Sequence, residues 1–170
     1  TKSLAGIRML LLRPQAGAED FIDQVKSAGV RLYHHPVMSI SAIDQSAHAK
    51  LLDSLLEFQK IIFVSRTAAN AFFARLQTSK ESWPSHLKAY AVGRSTAKII
   101  SDKGIAVEWP ESEMTSEGLL ALASLEDVQD QRILICCGEG GRKLLADELE
   151  QRGAHVERCE LYRREINLSE

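Results

Sequence analysis

The sequence predicts an α/β protein in which parallel β-sheets are flanked by helices. Short apolar runs bounded by turn residues alternate with segments whose apolar residues recur at helical spacing. This alternation is typical of parallel sheets with helices on both faces. The order strand, loop, helix, glycine, strand occurs at residues 7–36 and again at residues 132–162. Although the two segments share little sequence identity, the common order indicates an internal structural repeat.

The first repeat contains two predicted strands and one helix. Ile7–Leu12 is almost continuously apolar, which is typical of a buried parallel strand. Ala18–Ala28 carries apolar residues at helical spacing, and Gly29 ends that helix. Val30–Pro36 is the second strand. Chain order therefore predicts one strand–helix–strand unit.

Two further units follow in the middle of the chain. Lys60–Val64 is a predicted strand that ends in a Ser-Arg-Thr cluster and leads into a helix. Ala89–Val92 is a second strand that ends in a Gly-Arg-Ser-Thr cluster and also leads into a helix. Three further elements are predicted. They are an amphipathic helix at His48–Phe58, a short strand at Ile105–Glu108, and a helix that starts at Thr115–Gly118 and continues through Leu119–Leu125.

The last repeat begins with the apolar strand Arg132–Cys137. A glycine-rich loop, Gly138–Gly141, precedes a helix predicted over Arg142–Gln151. Gly153 ends that helix, and Ala154–Tyr162 is the final predicted strand. The order of elements is the same as in residues 7–36.

Composition limits the possible partners. The 170 residues carry 21 basic and 23 acidic side chains, a formal net charge of −2. Because nucleic-acid and anionic-membrane binding need a basic surface, we expect neither partner. No apolar stretch reaches the length of a membrane span, and the first residues lack the apolar core of a secretory signal. Three cysteines, two of them adjacent, are typical of free thiols in a reducing compartment, so we expect a cytoplasmic protein.

Polar clusters at the ends of strands are the candidate binding residues. Ligands in open α/β sheets usually lie beyond the carboxyl ends of the strands. Helix N-termini there offer unpaired N–H groups and a partial positive charge, which hold carboxylates or phosphates. Each cluster has a second interpretation, because Ser, Thr and Gly also serve as plain helix caps. The two clusters that open helices are Ser65, Arg66 and Thr67, and Gly93, Arg94, Ser95 and Thr96.

The glycine-rich loop before the last helix is a weaker signal. Its glycine spacing does not match a dinucleotide-binding fingerprint, and Lys143 is followed by Leu144 rather than the Ser or Thr of a P-loop. The loop is either a tight turn that needs glycine or a nest of backbone amides for an anion. Cys136 and Cys137 are adjacent on a strand and point to opposite faces, so we expect buried structural thiols and no metal site.

Five motifs in order resemble uroporphyrinogen-III synthases over nearly the whole chain. They are LLLRP, IIFVSRTAANAF, YAVGRSTAKII, GIAVEWPESEMTSEGLLALA and ILICCGEGGRKLLADELEQRGAHVERCELYRR. The resemblance implies two α/β domains joined by a two-strand linker. Residues 1–36 would be the first part of a discontinuous domain, residues 37–160 the continuous middle domain, and residues 161–170 the return linker.

The resemblance also implies an activity in tetrapyrrole and haem biosynthesis. Such lyases cyclise hydroxymethylbilane with loss of water and inversion of ring D, and they use no cofactor and no metal. Tyr162 matches a tyrosine of the family and is the expected catalytic residue. The expected substrate-binding residues are Arg13, Ser65, Arg66, Thr67, Gly93, Arg94, Ser95, Thr96, Gly138, Gly140, Gly141 and Arg142. We expect a monomer whose partner is the linear tetrapyrrole.

The sequence departs from the family in two respects. Arg often stands in the family where this chain has Cys137, so a basic group before the glycine-rich loop is missing. The family also continues beyond the position of Glu170 with strand–helix units that complete the first domain, and we expect a chain without them to be impaired in catalysis. The alternative is therefore a non-catalytic, Rossmann-like module that binds anions through the same helix N-termini.

Overall fold

A computed structural model describes residues 3–15, 17–43, 54–79 and 82–167. Internal contacts divide the chain into two units. Unit 1 comprises Thr1–Ser41 and Arg163–Glu170, and unit 2 comprises Ala42–Tyr162. The predicted α/β class with parallel sheets flanked by helices is confirmed. The domain limits at residues 36 and 160 stay a prediction.

Unit 1 contains the first strand–helix–strand repeat. Strands β1 (Arg8–Leu11) and β2 (Arg31–His34) pair in parallel, with Arg8 opposite Arg31. Helix α1 (Glu19–Ser27) connects them and buries Ile22 and Val25. The amphipathic spacing read from the sequence therefore places one apolar stripe of the helix in the interior.

A six-stranded sheet provides the strands of unit 2, while residues 38–41 and 163–166, in two of its neighbouring strands, belong to unit 1. The bounds of its strands are β3 Met38–Ala42, β4 Lys60–Phe63, β5 Lys88–Ala91, β6 Val107–Glu108, β7 Arg132–Gly138 and β8 His155–Ile166. The strand order is β3-β8-β7-β4-β5-β6. Lys60 of β4 pairs in parallel with Lys88 on one side and with Ile133 on the other, and β6 and β8 extend the parallel part outward.

Strands β3 and β8 run beside each other in opposite directions. The amide of Asn167 donates to the carbonyl of Val37, and the amide of Ile43 donates to the carbonyl of Leu161. These residue pairs advance on one strand as they retreat on the other, which is the pattern of an antiparallel ladder. The final strand is therefore longer than the predicted Ala154–Tyr162.

Helices cover both faces of the unit 2 sheet. Their bounds are α2 Arg66–Thr78, α3 Arg94–Ser101, α4 Ser116–Leu120 and α5 Leu144–Gln151. Helices α2 and α3 pack against each other, and the ring of Phe63 on β4 lies 5.3 Å and 5.7 Å from the rings of Phe72 and Phe73 on α2. The preceding residue on β4, Ile62, belongs to a second apolar cluster with Leu119 and Leu149.

Four element predictions need correction or lie outside the described part. The last helix begins at Leu144 rather than Arg142, because residues 141–143, which follow the turn at residues 139–140, are not helical. The helix after Thr115 ends at Leu120, and a separate 3-10 turn follows at Ala123–Leu125. The predicted strand at residues 105–108 shortens to its last two residues. Of the predicted helix at residues 48–58, residues 48–53 lie outside the described residues, and a 3-10 turn occupies Leu55–Glu57.

Candidate active site

The polar clusters after three strands lie at one edge of the sheet. Phe63 pairs with both Ala91 and Cys136 in the parallel ladder. Ser65, Gly93 and Gly138 each stand two residues beyond one of these three residues, so they occupy equivalent positions at the carboxyl edge. The prediction that the three clusters share this edge is confirmed.

Ser65 forms the N-terminal cap of α2. Its backbone is extended, and its Oγ accepts a hydrogen bond from the amide of Ala68 at 3.1 Å. Arg66 is exposed and Thr67 is half-buried in the first turn. The prediction that Ser65 caps a helix is therefore confirmed.

The hydroxyl of Ser65 also contacts the predicted catalytic residue. Its Oγ lies 3.1 Å from Oη of Tyr162, a side chain that is only 3% exposed. Tyr162 pairs with Gly138 where the ladder between β7 and β8 is irregular, and its carbonyl accepts a bond from the amide of Glu139. The structure thus brings together Ser65, Gly138 and Tyr162, which are far apart in sequence.

The glycine-rich loop after β7 uses part of its backbone internally. The amide of Gly141 donates to the carbonyl of Gly138 at 3.1 Å, and Gly140 has a φ of +67°, which favours glycine. Arg158 on β8 holds the loop from the side. Its Nη2 donates to the carbonyl of Gly141 at 3.2 Å and lies 3.6 Å from Sγ of Cys137. The tight-turn interpretation is therefore met, and the anion nest stays a prediction.

The N-terminus of α3 makes contacts that the sequence did not indicate. The amide of Arg94 lies 3.5 Å from Sδ of Met114, and the guanidinium of Arg94 stacks 5.3 Å from the centre of the Trp109 ring. Ser95 is exposed, but Thr96 is 5% exposed. Thr96 is therefore largely buried in the first turn of α3, and its role in binding stays a prediction.

Two predicted binding arginines remain, Arg142 and Arg13, and each contacts a residue of its own unit. Arg142 is exposed, and its Nη1 lies 3.7 Å from a carboxylate oxygen of Glu117 on α4. Arg13 belongs to unit 1, where its Nη2 donates to the carbonyl of Gly17 at 3.1 Å. The other eleven predicted substrate-binding residues and Tyr162 belong to unit 2.

The three thiols are buried in the interior of unit 2. Cys137 belongs to the cluster on one face of the sheet, and Cys136 is register-paired with Cys159. Burial raises the pKa of Cys136 well above its ordinary value, whereas a hydrogen bond from Cys136 lowers the pKa of Cys159. Among the residues that the structure describes, no group of three or more His, Cys, Asp or Glu side chains could hold a metal ion.

Comparison with known proteins identifies the family. The sequence model described as Uroporphyrinogen-III synthase HemD matches residues 19–170. A uroporphyrinogen-III synthase from Proteus mirabilis is 35% identical over 158 residues, which are 92% of this chain and 79% of that protein. The chain belongs to the uroporphyrinogen-III synthase family. The Escherichia coli member is 31% identical over 92% of this chain, but the matched part is 64% of that protein.

Solved structures of the uroporphyrinogen-III synthase family share the fold. A mutant enzyme from Thermus thermophilus superposes with a TM-score of 0.70 at 14% identity, over 95% of this chain and 64% of that one. The enzyme from Helicobacter pylori gives 0.53 at 18% identity, over 82% of this chain and 58% of that one. This chain therefore spans less than two thirds of these structures. No described helix is long and apolar enough to cross a membrane.

Arg158, Trp109 and Met114 are the neighbours of the site that sequence reasoning missed. Trp109 and Met114 stand in an acidic segment that looks like solvated surface, and their contacts with α3 depend on the path of the chain. Arg158 could have been found from register. It pairs with Ile135, one strand over and three residues before Gly138, so its long side chain reaches the loop.

Proposed function

We propose that this protein is a uroporphyrinogen-III synthase that cyclises hydroxymethylbilane with loss of water and inversion of ring D. Membership of the family supports the reaction, and one observation supports its location. A buried phenol, Tyr162, meets the cap of a helix N-terminus, Ser65, at the carboxyl edge of a parallel sheet. This edge is where ligands of open α/β sheets bind.

The substrate would be held by many moderate contacts. A linear tetrapyrrole with eight carboxylates is a flexible polyanion, and helix N-termini provide amide donors with a partial positive charge. Exposed guanidinium groups at the same edge, those of Arg66, Arg94 and Arg142, add charge that can reach carboxylates. We include Gly93, Ser95 and the loop Gly138–Arg142 in the binding surface.

Tyr162 would assist the departure of the hydroxyl group on ring A. The carbon–oxygen bond breaks as the pyrrole supplies an electron pair to form an azafulvene, and the hydroxyl leaves as water with the phenol's proton. The same pyrrole then gives its N–H proton to the phenolate, which restores Tyr162. A phenol suits this task because it can donate one hydrogen bond and, being uncharged, can be buried without the cost of desolvating a charge.

Inversion of ring D would follow from orientation. The protein has to hold the chain so that the substituted carbon of ring D attacks the new electrophile, and a fixed geometry supplies much of such a rate advantage. Action as a monomer is part of this proposal. The three free thiols support a reducing compartment, the cytoplasm.

Isomer analysis tests the proposal. Hydroxymethylbilane is incubated with the intact protein, and the cyclised product is oxidised and separated into its isomers. We expect the isomer with ring D inverted to dominate, because spontaneous closure leaves ring D uninverted. If the protein binds the tetrapyrrole but all of the product is uninverted, the proposed activity is wrong. The alternative, a non-catalytic anion-binding module, would then be favoured.

A further inference from the structure

We propose that Ser65 is a positioning residue that orients and polarises the phenol of Tyr162. The inference rests on the proposed function and assigns Ser65 a role that acts through another residue. A chain of hydrogen bonds would run from the amide of Ala68, at the N-terminus of α2, to Oγ of Ser65 and on to Oη of Tyr162. The phenol would then direct its own proton toward the departing hydroxyl.

The donor count at Ser65 sets the direction of this chain. A serine hydroxyl has one hydrogen and two lone pairs. The amide of Ala68 fills one lone pair at 3.1 Å, and Oη of Tyr162 lies 3.1 Å from the same oxygen. If the phenol donates to the substrate, the hydrogen between the two oxygens has to be that of Ser65. Ser65 therefore donates to Tyr162 in the reactive arrangement.

This direction favours catalysis for an electrostatic reason. As the phenol gives up its proton, negative charge grows on Oη, and a donor already pointed at that atom stabilises the charge. Ser65 is itself polarised by an amide of the first turn of α2, where the helix dipole is positive. Tyr162 is 3% exposed, so little water competes for these bonds.

Other contacts fix the phenol so that the bond from Ser65 can act on it. Gly138 lies against the ring, with space for a β-carbon taken up by Cε2 and Cζ. The amide of Glu139 holds the carbonyl of Tyr162 at 2.8 Å. The ring and backbone are thus set by β7 and the residue that follows it, and the hydroxyl is set by α2.

Thr115 provides a matched control within the same unit. It caps α4 through a bond of the same length, 3.1 Å, from the amide of Gly118 to its Oγ1. Its hydroxyl lies 3.4 Å from a carboxylate oxygen of Glu113. Substitution of Thr115 therefore removes a cap of the same kind at a different helix, α4.

A double-mutant cycle in the intact protein tests the proposal. Ser65→Gly removes the hydroxyl at little cost to the helix, because glycine is tolerated as an N-terminal cap. We expect kcat to fall about three- to tenfold, the worth of one hydrogen bond, with KM within about twofold. In a Tyr162→Phe background the same substitution should have no further effect on kcat. Ser65→Thr should retain most of the activity, and Thr115→Gly should leave kcat unchanged.

A second measurement does not depend on activity. The protein is labelled with ¹³C at the tyrosine Cζ, and the resonance of Tyr162 is assigned by its loss in Tyr162→Phe. Ser65→Gly should shift this resonance, while Thr115→Gly should not. An equal loss of kcat from Ser65→Gly in both backgrounds, or an unshifted resonance, would overturn the role of Ser65. The two proposals can fail separately. If the wild-type protein forms no inverted product but Ser65→Gly still shifts the Tyr162 resonance, the proposed function is wrong and the hydrogen bond between Ser65 and Tyr162 is confirmed.

Discussion

The ring of Tyr162 lies directly against the α-carbon of Gly138. A β-carbon built on Gly138 would be 2.7 Å from both Cε2 and Cζ of the ring and 3.0 Å from its Oη. Real β-carbons do not approach other atoms so closely, so the glycine is required by this ring rather than by its own backbone conformation. The glycine-rich loop therefore has a second explanation besides the tight turn and the anion nest.

Gly138→Ala should destabilise the protein and reduce ring closure together. The added methyl group has to push the ring of Tyr162 aside, and overpacking of this kind costs about 1–3 kcal/mol in the free energy of unfolding. Urea denaturation measures the loss. In a Tyr162→Ala background the same substitution should cost much less, since the obstacle is gone. An equal cost in both backgrounds would contradict the contact.

Tyr162→Phe should slow ring closure and leave the protein folded. The ring still packs against Gly138, and the bond to Ser65 is worth about 1 kcal/mol, so we expect a decrease of that order in the free energy of unfolding. Without the hydroxyl, loss of water has no acid assistance from this position. We expect the rate to fall on the order of ten- to a hundredfold.

The isomer ratio is the sensitive measurement for Tyr162→Phe. Slower catalysis leaves more substrate to close spontaneously, so the uninverted isomer should form a larger share of the product. Thermal denaturation of the same sample controls for unfolding. Full yield of the inverted isomer at an unchanged rate would remove Tyr162 from the mechanism.

Much of the fold could be predicted because local signals agree with one another. The apolar strand Arg132–Gly138 is buried along nearly its whole length, and buried parallel strands have few polar residues to confuse the pattern. The cap at Ser65 and the carboxyl-edge position of Gly93 follow directly from strand–turn–helix order. These elements depend on residues that are near one another in sequence.

The parts that could not be predicted depend on residues that meet only in the folded chain. The irregular register at Gly138 places Tyr162, rather than Leu161, opposite the glycine. Neither residue carries a local signal for that shift. The contact between Met114 and Gly93 could not be predicted either. Met114 stands in an acidic segment, and nothing in that segment indicates that its side chain packs against a helix N-terminus.

Lys60 lies at the amino end of β4, away from the candidate site, and its burial should make the effect of Lys60→Met on stability depend on pH. Lys60 is 6% exposed, and its Nζ donates to Gln131 at 2.5 Å. Burial, and secondarily the charge of Lys88, lower the pKa of Lys60 below its ordinary value of 10.5. At pH values below that lowered pKa, Lys60 is protonated in both the folded and the unfolded protein. Folding then includes the full cost of burying its charge.

The sign of the pH dependence follows from proton counting. Between the lowered pKa and 10.5 the unfolded chain binds more protons than the folded protein, so the free energy of unfolding of the wild type rises with pH. The Met variant lacks this gain. We expect its stability relative to the wild type to fall as pH rises through that window, by urea denaturation at several pH values. Lys98→Met, on the exposed face of α3, controls for the general loss of a positive charge, and a relative stability independent of pH would contradict the prediction.

Arg158→Met should weaken substrate binding more than it slows chemistry. The guanidinium of Arg158 bonds the carbonyl of Gly141 and pairs with Glu160 at 3.2 Å, so it fixes one side of the loop that begins at Gly138. Methionine keeps most of the side-chain volume and removes these bonds. Without these bonds the loop is more mobile in the free protein. Binding of the substrate then has to order the loop, and the entropy lost in doing so lowers the affinity.

The matched control for Arg158→Met is Arg152→Met. Arg152 is similarly buried, with a side chain 24% exposed against 20% for Arg158, and it bonds the carbonyls of Leu120 and Leu125 away from the loop. Both substitutions should reduce the free energy of unfolding by about 1–3 kcal/mol, because Arg158→Met removes the donor to one carbonyl and Arg152→Met removes the donor to two. Only Arg158→Met should raise KM for hydroxymethylbilane, by about three- to tenfold, with kcat within about twofold. Equal KM values for the two variants would mean that Arg158 supports the fold alone and that the loop does not contact the substrate.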